Sequence, residues 1–119
     1  MKTIAFDKHI GARIRSQIEA GERFILLDPH GVAESVLGLD KGQLQQVPAK
    51  KALIQAVIAA DHQAVKDLLD AGCDPWTRTF NGLSLLEVAD RDEAMREIIQ
   101  DAMRERDPGA FLEMWVSTD

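Results

Sequence analysis

Asp61-His62-Gln63-Ala64-Val65-Lys66-Asp67-Leu68-Leu69-Asp70-Ala71-Gly72-Cys73-Asp74-Pro75 reads as one capped helix and its exit. Asp61 can accept from a free amide of the first turn, while Val65, Leu68 and Leu69 share a face. Gly72 supplies the left-handed residue that stops the helix. Immediately upstream, residues 51–60 predict a partner helix with Leu53, Ile54, Val57 and Ile58 on its buried side. Small Ala56, Ala59 and Ala60 surround that face and allow close approach. The unit is a helix pair joined by a tight turn.

Downstream, a polar and aromatic loop, Cys73-Asp74-Pro75-Trp76-Thr77-Arg78-Thr79-Phe80-Asn81-Gly82, leads into Ser84-Leu85-Leu86-Glu87. The S-x-x-E form is a capping box: the serine accepts from a first-turn amide and the glutamate reaches back. A helix over 84–90 follows, then one over 93–102 carrying Met95, Ile98, Ile99 and Ala102 at i, i+3, i+4, i+7. Leu53-x-x-Ala56 and Leu86-x-x-Ala89 superpose at an offset of 33 positions, the period of ankyrin repeats.

The chain between them resembles the ankyrin family. Residues 61–75 are similar to its second helix and exit, and Asn81-Gly82-Leu83-Ser84-Leu85-Leu86-Glu87-Val88-Ala89 to its D-G-x-T-P-L opening. Leu85 stands for the family's proline, Glu87 for its histidine and Cys73 for its alanine, and the second copy is about three residues short between its helices. The resemblance covers about residues 49–102. It implies a mainly α fold of stacked helix pairs, a role in protein binding, and a projecting inter-repeat loop as the contact. The site residues expected on that basis are Trp76, Thr77, Arg78, Thr79, Phe80 and Asn81. Trp and Arg are types enriched at interaction hot spots, although Trp76 is as readily accounted for by packing onto neighbouring helix ends.

Residues 1–47 match no recognised pattern. Asp7 can cap a helix to about residue 20 with Ile10, Ile14 and Ile18 on one stripe and Gly21 as its stop. Phe24-Ile25-Leu26-Leu27 is a buried run, strand or extended. Asp28-Pro29-His30-Gly31 is a turn, 32–39 a short helix and 41–47 a polar connector. The whole is a single domain: an N-terminal extension, helical or α+β, over 1–47, helix pairs over 48–102 and a C-terminal cap over 103–119. Because repeats of this kind do not bury their own flanks, the extension and the apolar stub Phe111-Leu112-Glu113-Met114-Trp115-Val116 are expected to act as caps.

The chain has 119 residues, 45% hydrophobic and 29% charged, and a net charge of −6 that falls entirely in residues 48–119. Such a surface repels nucleic acid and anionic membranes and suits a basic protein partner. A single cysteine, Cys73, and no bilayer-length apolar run suggest a reducing, cytoplasmic setting. His9, His30, His62 and Cys73 lack metal-ligand spacing, so neither metal nor cofactor is expected. The expectation is a non-enzymatic module, monomer or homodimer, that binds one protein, as bacterial adaptors and immunity-type inhibitors do. Two alternatives stand beside it: a small enzyme centred on Asp28 and His30, and an acidic inhibitor imitating nucleic acid.

Overall fold

A computed structural model describes residues 1–5 and 10–116, with the side chains of 10–12 and 113–116 outside that description. The elements run β1 (Lys2–Ala5), α1 (Ile10–Glu19), β2 (Phe24–Leu27), β3 (Ala33–Asp40), β4 (Gln43–Pro48), α2 (Ala49–Ile58), α3 (His62–Asp70), α4 (Leu85–Val88), α5 (Glu93–Arg106) and α6 (Pro108–Val116). The strands make one sheet in chain order. β1 and β2 are parallel across the α1 crossover, and β2–β3 and β3–β4 are antiparallel. The expected fold class, mainly α with ankyrin-like stacked helix pairs, is therefore corrected. The fold is α/β, a mixed four-stranded sheet with helices against it.

The correction lies in residues 32–47. The helix expected over 32–39 is strand β3, and the connector expected over 41–47 belongs to strand β4. Lys41 and Gly42 join them with φ of 54° and 79°. Positive φ at both loop residues is the two-residue hairpin turn, whose twist matches that of paired strands. β3 conceals its period because its centre is buried on both faces. Leu37 packs with Ile14, Ile18, Phe24 and Leu26 beneath α1, whereas Val36 joins Ile25 and the helices on the opposite side. The same division explains the unbroken apolar run of β2. β4 is concealed for the opposite reason: it is an edge strand, exposed along most of its length.

Gly21 ends α1 at a φ of 96°, as its position suggests. The capping role expected of Asp7 lies outside the described residues.

The main core joins both halves. Ile25 and Val36 from the sheet pack with Leu53 and Val57 of α2, Val65 and Leu68 of α3, Leu85 of α4, and Met95, Ile99 and Met103 of α5. Each fully buried side chain of this size is worth about 1.5–3 kcal/mol. α2 packs on β3 and β4, α3 packs on α2 and α5, and α4 lies against α2 and α5. The helices of this half start and stop near their expected positions, but α4 is a single turn and α5 runs on to Arg106. Asp107 breaks the chain and then caps α6, accepting from the Ala110 amide at 3.0 Å. Phe111 of α6 is half-buried against the core under the Arg104 guanidinium, whereas Leu112 is exposed. The Trp115 side chain lies outside the described residues.

Candidate protein-binding finger

Residues 74–84 form a small finger between α3 and α4. Its base is a turn built by Asp74. The carboxylate accepts from the Trp76 amide at 2.8 Å, and the carbonyl accepts from the Thr77 amide at 3.1 Å and its hydroxyl at 2.6 Å. Pro75 is fully buried beneath. The stalk is one antiparallel bridge, Arg78 opposite Ser84. Above it, the Thr79 amide donates to the Leu83 carbonyl at 2.8 Å, and the Gly82 amide donates back to the Thr79 carbonyl at 2.9 Å. This leaves Phe80, Asn81 and Gly82 as a three-residue hairpin loop, closed by Gly82 at a φ of 82°.

Side chains brace the loop from both strands. The Arg78 guanidinium donates to the Gly82 carbonyl at 2.8 Å, and the Thr79 hydroxyl accepts from the Leu83 amide at 3.1 Å. Below, the capping box forms in full: the Glu87 amide donates to the Ser84 hydroxyl at 3.1 Å, and the Ser84 amide donates to the Glu87 carboxylate at 2.7 Å. The finger is thus a short, cross-braced hairpin seated on a capped helix.

The six expected contact residues divide. Phe80 has a relative exposure of 104%, a side chain with almost no intramolecular contact. Arg78 and Asn81 are exposed beside it. Thr79 is half-buried by its bracing role. Thr77 is buried at 9%, because its hydroxyl and amide are both turned onto Asp74. Trp76 is half-buried against the core, so it supports the finger from below. Leu83 was not among the expected residues, yet it is exposed at 45% on the same hairpin. Its signal was an apolar residue placed between a turn glycine and a helix cap, where nothing local can bury it.

The other chemical candidates lie apart. The Asp28 carboxylate accepts from the His30 and Val32 amides at 2.8 and 3.0 Å, a local turn whose His30 side chain is exposed. Cys73 lies buried at the exit of α3. Burial pushes its thiol up to about 11, against a smaller opposing pull from Arg106, so it stays protonated near neutrality. His62 Nε2 lies 2.7 Å from an Asp92 oxygen and links the two helix-pair turns. The Asp92 carboxyl sits below its ordinary value, chiefly because the Met95 amide donates to it and secondly because of His62. Among the described residues no cluster of three or more His, Cys, Asp or Glu side chains could hold a metal ion. Nor, among them, is any helix long and apolar enough to cross a membrane.

No known protein family, curated protein or solved structure matches the chain. The finger must therefore be read from its own geometry.

Proposed function

We propose that the protein is a non-enzymatic binding module that engages one protein partner through the tip of this finger, in the manner of an adaptor or an immunity-type inhibitor. The observation that carries the reading is Phe80. A large aromatic ring fully in solvent gains nothing for the folded chain. Held on a braced hairpin, however, it loses little conformational freedom when it enters a pocket on another protein. Aromatic anchors of this kind supply most of the energy of protein interfaces. Arg78 and Leu83 flank the ring and extend the contact.

The enzyme alternative has less support: Asp28 is spent on backbone amides, and Cys73 is buried with its thiol held protonated. The nucleic-acid mimic has no comparable anchor, and three of the carboxylates it would present are drawn into pairs: Asp61 with Arg23, Asp101 with Arg104, and Asp67 with the N-terminal ammonium.

A photo-crosslinking phenylalanine analogue at position 80 tests the proposal in extract of the source cells. One discrete adduct at position 80, absent when the analogue replaces Leu112, is the expected result. Equal labelling from both positions, or no adduct from position 80, would rule out the finger as the contact.

A further inference from the structure

The finger does not stand on a featureless surface. Along one side of its base runs a groove of about 410 Å³ between the first turn of α2, the start of β3 and the exit of α3. Ala33 and Ala49 lie along its floor, and the half-buried Trp76 contributes an aromatic wall. Lys50 and Arg78, both exposed, lie on its margins. Among the described residues neither has an ion-pair partner; Arg78 uses one guanidinium nitrogen on the Gly82 carbonyl and retains its other donors. Asp74 is the acidic residue of the lining, and it is already engaged by the Trp76 amide and by Arg106 at 4.0 Å. Arg106 itself donates to the Gly72 carbonyl at 2.8 Å, which holds it beside Asp74 as that carboxylate's counter-charge and leaves Lys50 and Arg78 uncompensated.

The local sign is therefore positive in a chain whose net charge is −6. We infer that this groove receives an acidic segment of the partner protein, with carboxylates facing Lys50 and Arg78 while Phe80 enters an apolar pocket beside that segment. The inference rests on the finger reading above, and it makes the partner's contact surface acidic rather than basic. A guanidinium can take a carboxylate in two parallel hydrogen bonds, and the neighbouring indole gives that segment an apolar surface to lie against. A long polyanion such as nucleic acid suits the site less well, since the negative charge elsewhere on the molecule would repel its further phosphates. A short acidic stretch meets only the local field.

The test uses three sets of fluorescent peptides. They share the same apolar residues and carry acidic, amide or basic residues at the intervening positions. Binding is read by anisotropy against the intact chain. The acidic set should bind, and raised salt should weaken it. The double change Lys50→Glu with Arg78→Glu should reduce acidic-peptide affinity by at least tenfold and favour the basic set. Because Arg78 also braces the finger, Lys50→Glu alone provides the same test with the hairpin intact. It should lower affinity several-fold at an unchanged melting temperature. Equal binding of acidic and amide peptides, insensitivity to Lys50→Glu, binding of none of the sets, or equal competition by a single-stranded oligonucleotide would each overturn the inference. Phe80→Ala separates the two readings. If it abolishes binding while both charge reversals do nothing, the finger stands and the acidic groove falls. If the reversals abolish binding while Phe80→Ala does nothing, the groove stands and the finger falls.

Discussion

The helical half of the molecule closes its own ends, whereas the sheet half is fastened from outside. At the starts of α3, α4 and α5 the backbone amides are met by side chains three positions away: Asp61, Ser84 with Glu87, and Asp92. Carbonyls at the helix exits are met by long side chains of α5. Arg96 donates to the Leu86 carbonyl at 2.7 Å and Arg106 to that of Gly72. The sheet half shows a different pattern. Its edge and turns are tied to α3 across the sequence: the Met1 ammonium to Asp67, Arg23 to Asp61 at 3.3 Å, and the Ala33 amide to the Ala71 carbonyl at 2.9 Å. Each link runs to α3 or to its caps. That helix is therefore the member on which both halves depend, and the halves should unfold together.

Leu68→Ala tests this dependence with the largest expected effect. Leu68 is fully buried in α3, within the cluster that contains Ile25 and Val36 of the sheet. Truncating such a leucine costs about 2–5 kcal/mol. Denaturant titrations followed by far-ultraviolet circular dichroism and by tryptophan fluorescence should shift together and remain coincident. Two separated transitions would show that the sheet half stands alone and would break the comparison.

The same contrast explains what could be read from the sequence. Helix caps and a 3.6-residue apolar stripe are written in adjacent residues, so α2, α3 and α5 and the capping box at Ser84 were legible. Strand pairing is not written locally. Val36 and Leu37 are both buried because layers cover both faces of β3, and Gln43, Gln45 and Gln46 are polar because β4 is an edge. Without alternation, the visible marker was Lys41-Gly42, a two-residue turn between Leu39 and Leu44, which pair across the hairpin. At the finger, Phe80 and Arg78 were legible as a projecting loop. The inward turn of Thr77 was not, since it depends on a carbonyl that only the folded Asp74 turn presents.

Asp61→Ala comes next in size, because one carboxylate serves both halves. It accepts from the Ala64 amide at 3.2 Å and pairs with Arg23. Losing a cap of this kind costs about 0.5–2 kcal/mol, and the exposed ion pair adds little. Ser84→Ala removes a cap without a link to the sheet. It should fall in the same range but leave the Arg23 side of the molecule unaltered. If Arg23→Ala proved as costly as Asp61→Ala, the link and not the cap would carry the energy.

Acid should affect both halves, more gently. Partial burial raises the Asp67 carboxyl, but the hydrogen bonds from the N-terminal ammonium and Gln63 and the nearby positive charge together hold it below 3.8. Asp92 also lies below 3.8, for the reasons given above. A carboxyl lowered in the folded state binds fewer protons there than in the unfolded state. Its contribution is therefore full above the ordinary value and is lost as pH falls through the folded one. Stability should decline as pH drops below about 4. Asp67→Asn should flatten part of that decline by removing the link from the N-terminus to α3, and Asp92→Asn a separate part. A decline unchanged in both variants would place the acid sensitivity elsewhere.

Phe80→Ala should have the smallest effect on folding, and that makes it informative. The ring is fully exposed, and the hairpin is held by Thr79, Arg78 and Gly82, none of whose bonds involve the Phe80 side chain. Surface changes of this kind usually stay within about 0.5 kcal/mol. A measured melting temperature close to wild type would confirm that the ring is free in the isolated chain. A partner that buries it would then lose about 2 kcal/mol or more on truncation, roughly thirtyfold in affinity. The opposite pattern, lost stability with unchanged binding, would mean that Phe80 packs within this chain in solution. It would then belong with Trp76 among the supports of the finger, and the contact surface would have to be sought along the Lys50 and Arg78 side of its base.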